Sequence, residues 1–532
     1  MFNLKRFLIC LILGAAIYRP EAKGQLPGAP IDVEHYRFDI QLNDLNDVMK
    51  GEAAISLKYL QNTSSTQLDL IKQDKTGKGM LVEWIKENGK KLHFFQDGDK
   101  VTIYRAAKAN QRHCYVIKYS GIPADGLVIS TNIFGHRTFF GDNWPNRAHN
   151  WLPCVDLPAD KASVDFYVTA PSHYQVIANG LKVSDIILPG ALKLTHWKEV
   201  NSLPTKVMVI GVADFAIDHV GLVAGIPVES YVYPENKTPG FRDYAAAKAI
   251  LPFYIKKIGP YAYQKLANVQ SKTRFGGMEN ASAIFYFEKS VGSPDIEALM
   301  AHEIAHQWFG DAVTEKKWQH IWLSEGFATY MTDLYLENKY GADTLKKRLD
   351  DARRKVIAFE AKRFTPVVDT AVNDNYMQLL NANSYEKGSW ILHMLRHQLG
   401  DAVFMKAISN YYKHYKGANA NTDDLRREFE DASGISLKAY FKQWLYTAGH
   451  PHLKITSRYD VDRKSTVLHI EQTQERLFEF SLEIATRAKP AVHTYAIKQR
   501  ITDIELPFAL AQDVLTFDPG VNLLFDYQLM LN

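Results

Sequence analysis

The chain has 532 residues, 46% of them hydrophobic, more than one core usually organises, so two to four globular domains are expected. Its 63 basic and 59 acidic residues leave a net charge of only +4, and no basic run with interleaved aromatics occurs. Disorder and nucleic-acid binding are therefore not expected.

At the N-terminus, Lys5 and Arg6 precede an uncharged apolar run from Phe7 to about Tyr18, and Ala22-Lys23-Gly24 forms a small-x-small cleavage site. This predicts a secretory signal over residues 1–24, Gln25 as the first mature residue, and a periplasmic or extracellular destination. The apolar run is too short to span a bilayer comfortably, so no stable membrane span is expected after cleavage; an uncleaved anchor is the alternative. Cys10 follows Ile9 rather than a small residue, which argues against a lipoprotein site. Cys114 and Cys154 remain, either as a pair or as separate buried thiols.

From about Val33 the pattern has period two: Tyr36, Phe38, Ile40 and Leu42 alternate with Arg37, Asp39 and Gln41, and Ala53, Ile55, Leu57 and Tyr59 repeat it. Asn88-Gly89 is a hairpin signal, and strand-like runs continue to Tyr231-Val232-Tyr233. Residues 25–234 therefore read as one β-rich domain. Pro234 to Phe241 breaks the pattern, and helical periodicity prevails over residues 235–449. The expected helices are Arg242 to Ile258, a run from Ile296, Gly326 to Glu337, Asp343 to Glu360, Tyr385 to Gln398, Val403 to Tyr415 and Thr422 to Phe429. Asn280 to Phe287 reads as a strand ahead of the Ile296 helix. After Gly449-His450-Pro451 alternation returns, predicting a small β-sandwich over residues 450–532.

The run from Ile296 contains His302, Glu303 and His306, with Glu325 further on: HExxH, eighteen residues, then Glu. Helix positions four apart differ by about 40° around the axis, so His302 and His306 face the same way and make half of a zinc site. Glu303 lies about 100° round from His302, away from a ligand position but within reach of a metal-bound water, which reads as a base. Apolar residues surround the helix almost completely, marking it as buried on most sides.

These residues resemble those of gluzincin-type zinc aminopeptidases, the family of aminopeptidase N and leukotriene hydrolase. Gly276-Gly277-Met278-Glu279-Asn280 is similar to the exopeptidase motif, His302 to Gly310 and Trp322 to Ala328 to the metal site, and Tyr385-Glu386-Lys387-Gly388 to the segment carrying the catalytic tyrosine. Asn146 to Pro158 and the junction Trp444 to Pro451 extend the resemblance over all three segments. Departures are Ser324 in place of the usual asparagine, Ala281 after the exopeptidase motif, and no large helical domain at the C-terminal end.

The resemblance implies a multidomain α+β fold, with a saddle-like N-terminal β domain, a thermolysin-like, mainly helical catalytic domain and a C-terminal β-sandwich. It implies one Zn²⁺ per chain on His302, His306 and Glu325, leaving a fourth position open, as in catalytic sites. Glu303 would be the base and Tyr385 the oxyanion donor. Glu279 would anchor the free amine of a peptide substrate within the substrate-binding stretch Gly276, Gly277, Met278, Glu279 and Asn280. The family also offers an N-domain side chain to the amine, near Asp142 and Asn143 in a register that the sequence leaves open. A broad endopeptidase and a catalytically dead scaffold are competing readings. The epoxide-hydrolase chemistry of leukotriene hydrolase loses ground because Leu380 stands where that activity uses a second tyrosine.

Overall fold

The computed structural model describes residues 29–463, 465–486, 492–506 and 515–531. The expected signal segment and its cleavage site lie outside the described residues. Three regions follow one another: a β-rich N-terminal domain, a helical catalytic domain and a C-terminal pair of sheets.

The N-terminal domain is built on an eight-stranded sheet whose middle strands are Ile31–Gln41, Met49–Tyr59 and Lys161–Pro171. Period-two alternation sets its buried face: Tyr36, Phe38 and Ile40 are buried and stand opposite Val164, Phe166 and Val168 on the parallel neighbour. Asn88 and Gly89 take positive φ of 49° and 78° between paired strands, the geometry that a two-residue hairpin turn demands. Cys114 and Cys154 form no disulfide.

The hairpin Ala216–Val223 and Ile226–Val232 continues a sheet with Leu266–Ser271, Ala283–Phe287 and Gly277–Met278, so it pairs with catalytic-domain strands. On that pairing we propose the domain boundary near residue 215 instead of 235. Alternating strands look the same whichever sheet they join, so periodicity could not assign this hairpin.

Most of the expected helices are found with shifts at their ends, but the one expected over Arg242 to Ile258 is two, Lys237–Tyr244 and Ala247–Lys257, and Lys438–Leu445 is a helix outside the expected set. The HExxH run is the helix Ile296–His306, and Glu325 lies in the first turn of the helix Trp322–Tyr340. The Tyr385 segment departs from regular helix: Asn383–Lys387 is a π-helical turn that leads into Gly388–Leu399. In the C-terminal region a four-stranded and a three-stranded sheet form the expected β-sheet domain. No helix among the described residues is long and apolar enough to cross a membrane.

Buried polar contacts dock the N-terminal domain onto the catalytic one. Lys161 donates to the carbonyls of Asp311, Ala312 and Ala418, and Lys206 pairs with Glu315 at 2.8 Å with both side chains almost fully buried. Asn179 Nδ2 donates to Ala281 O at 2.7 Å, and Gly180 N donates to Ser282 Oγ at 2.8 Å. The last two hold the turn that follows the GGMEN stretch, so the N-terminal domain helps to position one edge of the site.

Candidate active site

The Ile296–His306 helix is packed on most sides: Met300, Ala301, Ile304 and Ala305 have no exposed surface, and Tyr254 donates its hydroxyl to Ala301 O at 2.9 Å. Burial leaves this helix little freedom to rotate, and its pitch puts His302 Nε2 and His306 Nε2 3.1 Å apart. The neighbouring helix brings Glu325 Oε2 to 3.4 Å from the first nitrogen and 3.2 Å from the second. Bonds of about 2.0–2.1 Å to a tetrahedral zinc imply ligand-to-ligand edges of about 3.3 Å, and all three separations agree with that.

Other features of the site fit a cation. Glu325 Oε2 is buried and has no hydrogen bond. His306 Nδ1 faces Phe309 O at 3.1 Å and Ser324 Oγ at 3.0 Å, which orients the ring with Nε2 toward Glu325. Burial alone would lower the His306 pKa, yet the carboxylates of Glu325, Glu279 and Glu303 push it up to about 10. Three buried carboxyl groups around one histidine make surroundings that favour positive charge, as a divalent ion would supply. Two histidines and one carboxylate are a donor set that catalytic zinc sites use.

Glu303 points from the same helix into the cleft and is 5% exposed. Burial raises its pKa well above the carboxylate range; His306 opposes the rise, and Glu279 and Glu325 add to it. The strand edge Gly277–Met278 lies directly over it. A Cβ on Gly277 would fall 2.2 Å from Glu303 Oε1, so a larger residue here would have to displace the Glu303 carboxylate.

Glu279 is 4% exposed, with Oε1 unpartnered, and burial raises its pKa. Its backbone is pinned by Gln307, whose Nε2 donates to Glu279 O at 2.7 Å, one residue beyond the HExxH run.

The Tyr385 ring lies nearly parallel to the His302 imidazole, with centroids 6.0 Å apart. Burial, then the charges of Glu325, Glu279 and Glu303, hold its hydroxyl well above the usual phenol range, so it remains a donor. Gly326 and Gly388 meet back to back: a Cβ on either would fall 2.9 Å from the other's Cα. That close approach sets the Tyr385 turn against the helix bearing Glu325.

Together these residues line a cleft of about 280 Å³. Gly276, Gly277, Met278, Glu279, His302, Glu303, His306, Glu325 and Tyr385 are all on its wall. Asn280 stands apart, fully buried behind the wall. Neither Asp142 nor Asn143 reaches the cleft. Asp142 is held by Arg147 Nη2 at 2.6 Å and Arg274 N at 3.1 Å; Asn143 donates to Thr205 O and Met208 O and accepts from Trp151 Nε1. Their neighbour Trp144 lines the cleft instead, braced edge-to-face by Trp318 at 5.5 Å and Phe275 at 6.2 Å. Sequence reading missed Trp144, Phe275 and Leu299 as wall residues; the aromatic flank of the Asn143-Trp144-Pro145 run was the available signal.

Two helices thus present His, His and Glu as a set that could hold a metal ion, with a buried glutamate beside them and Trp144 of the β domain on the cleft wall. Comparison with known proteins narrows the class. The Peptidase M1 N-terminal domain matches residues 32–207 and the Peptidase family M1 domain residues 243–444. The Probable aminopeptidase 1 of Sulfurisphaera tokodaii is 24% identical over 474 residues, covering 83% of this chain and 57% of that protein. The Aminopeptidase M1-C of Oryza sativa subsp. japonica is 29% identical over 343 residues, covering 62% and 38%. The crystal structure of Legionella pneumophila aminopeptidase A in complex with aspartic acid superposes with a TM-score of 0.81 at 16% identity, covering 94% of this chain and 60% of that one. The chain thus spans about 40 to 60% of the length of these relatives. It belongs to peptidase family M1.

Proposed function

We propose that the protein is a zinc metallo-aminopeptidase that hydrolyses the first peptide bond of peptides with a free N-terminus. The observation that carries this reading is the unpartnered, buried Glu279 carboxylate on the same cleft wall as the His302, His306 and Glu325 set. Bound by those three side chains, zinc would supply a Lewis acid that polarises the scissile carbonyl and acidifies water.

Glu279 receives the substrate's α-ammonium, and that charge-assisted contact sets the register so that only the first carbonyl reaches the ligand set. Glu303 accepts the proton of the attacking water, whose oxygen bonds to the carbonyl carbon, and delivers it to the amine as the C–N bond breaks. A base with a raised pKa suits both halves of that transfer. Tyr385 donates its hydroxyl to the carbonyl oxygen as negative charge develops there. The cleft volume falls just below the ~300–1,000 Å³ typical of small-molecule pockets, which fits one residue rather than an extended chain. Its walls of Trp144, Phe275, Met278, Leu299 and Leu380 favour a large apolar first residue.

Peptide mapping by mass spectrometry tests the reading. A ladder losing one residue at a time from the N-terminus is expected, with N-acetylated copies of the same peptides scarcely cut. Internal fragments preceding the ladder, or equal cleavage of free and acetylated peptides, would replace it with an endopeptidase.

A further inference from the structure

A second ligand set lies where the catalytic domain meets the C-terminal sheets. His450, His452 and Asp526 each present a ligand atom within 4.8 Å of the others. Register makes the cluster: the strands His452–Asp460 and Asp526–Leu531 are parallel neighbours, with His452 directly opposite Asp526. His450 precedes the first strand by two residues, and its ring centroid is 4.3 Å from that of His452.

His450 is the informative member. It is 1% exposed, and its Nδ1–H donates to Glu360 Oε2 at 2.5 Å. Glu360 is itself fixed, since Lys387 Nζ donates to its Oε1 at 2.6 Å and to Gly449 O at 2.7 Å. A carboxylate holding one ring nitrogen while the other faces a ligand set is the arrangement that orients a metal-binding histidine. The other nitrogen, Nε2, is buried and has no hydrogen bond, as Glu325 Oε2 is at the first site. It lies 3.6 Å from Asp526 Oδ2, beyond hydrogen-bond length and close to the ~3.3 Å edge expected between two ligands of one tetrahedral ion. His452 Nδ1 and Asp526 Oδ1 now share a hydrogen bond of 2.6 Å. Both side chains are more than a third exposed, so they can open to admit an ion. A cavity of about 350 Å³ that His450 and His452 line leaves room for water as a fourth ligand.

We propose that His450, His452 and Asp526 form a second zinc site, completed by water, that clamps the C-terminal sheet to the catalytic domain. Binding replaces the His452–Asp526 hydrogen bond with coordination by both groups, and the proton between them leaves. Glu360 then orients His450 from behind. Through Lys387, two residues from Tyr385, the same chain of contacts also steadies the π-helical turn that carries the tyrosine.

The test is zinc stoichiometry and thermal stability of the full chain, stripped with chelator and titrated with zinc alone. Two equivalents are expected, and filling the second should raise Tm. His452→Ala and Asp526→Asn, both at half-exposed positions, should each abolish the second equivalent and its Tm increment while keeping the first. Glu360→Gln should weaken the second by about 10–100-fold. Glu325→Ala should retain the second equivalent while losing the first, which separates this proposal from the catalytic one. Saturation at one equivalent, or a second equivalent that survives both His452→Ala and Asp526→Asn, overturns it.

Discussion

The two ligand sets reach similar geometry by opposite routes. At the active site, His302 and His306 are neighbours because the pitch of one helix makes them so, and their nitrogens lie 3.1 Å apart. At the domain junction, His452 and Asp526 meet across 74 positions because two parallel strands hold them in register. A ligand pair carried on one element is written in the local sequence; a pair made by strand register depends on the whole sheet. The contrast also extends to what surrounds each set. The first set stands among Glu279, Glu303 and Tyr385, to which the proposed function gives chemistry to perform, whereas the junction set is backed by Glu360 and Lys387, which would only position.

If that contrast is right, the largest effects belong to the helix-borne set. Ala at His302, His306 or Glu325 should remove both tightly bound zinc and turnover. Chelation of the wild type should abolish activity that added zinc restores. On the proposed roles, with Glu303 the base and no ligand, Glu303→Ala should keep the metal and lose turnover; metal analysis of that variant showing an empty first site would erase the division of roles.

Next in size is Tyr385→Phe, which keeps the ring against His302 and deletes only the donor. A loss of about 100 to 1,000-fold in kcat is expected, with KM little changed. Steady-state kinetics giving near-normal kcat would move the oxyanion donor elsewhere. Glu279→Ala should cost roughly 10 to 150-fold in kcat/KM on free-amine substrates, the equivalent of about 1.5–3 kcal/mol for a charged hydrogen bond. Zinc content should not move, and a fall in metal instead of in kcat/KM would place Glu279 among the ligands.

What the sequence made legible follows the same division. The HExxH helix, the strand before it and the Asn88-Gly89 hairpin rest on pitch, alternation and turn chemistry, and each was readable within a few residues of itself. The ownership of the 216–232 hairpin was not, because strand partners are chosen by the sheet rather than by the strand. Nor was the N-domain face of the cleft. Asp142 and Asn143 carry the polar groups that suggest binding, yet Arg147, Arg274 and backbone carbonyls consume them, and Trp144 takes the wall. Those partners lie as far as 132 residues away, out of reach of a local pattern.

The smallest expected effect probes what the helix-borne set owes to its surroundings. Ser324 departs from the asparagine usual in the family that the sequence resembles, and its Oγ lies 3.0 Å from His306 Nδ1. The same nitrogen also faces Phe309 O at 3.1 Å, so the hydroxyl shares the task of orienting the imidazole with a backbone carbonyl that no side-chain substitution removes. Loss of an outer partner of a ligating histidine costs about 10–100-fold in metal affinity, and with one partner left Ser324→Ala belongs at about 10-fold. The hydroxyl touches neither the cleft nor Glu303, so turnover at saturating zinc should be unchanged. Zinc-buffered titrations would read the difference. A shift approaching 100-fold would mean that Ser324 alone orients His306, and no shift would mean that Phe309 O suffices; a fall in kcat at full occupancy would show that the hydroxyl reaches the chemistry through the ring that it positions.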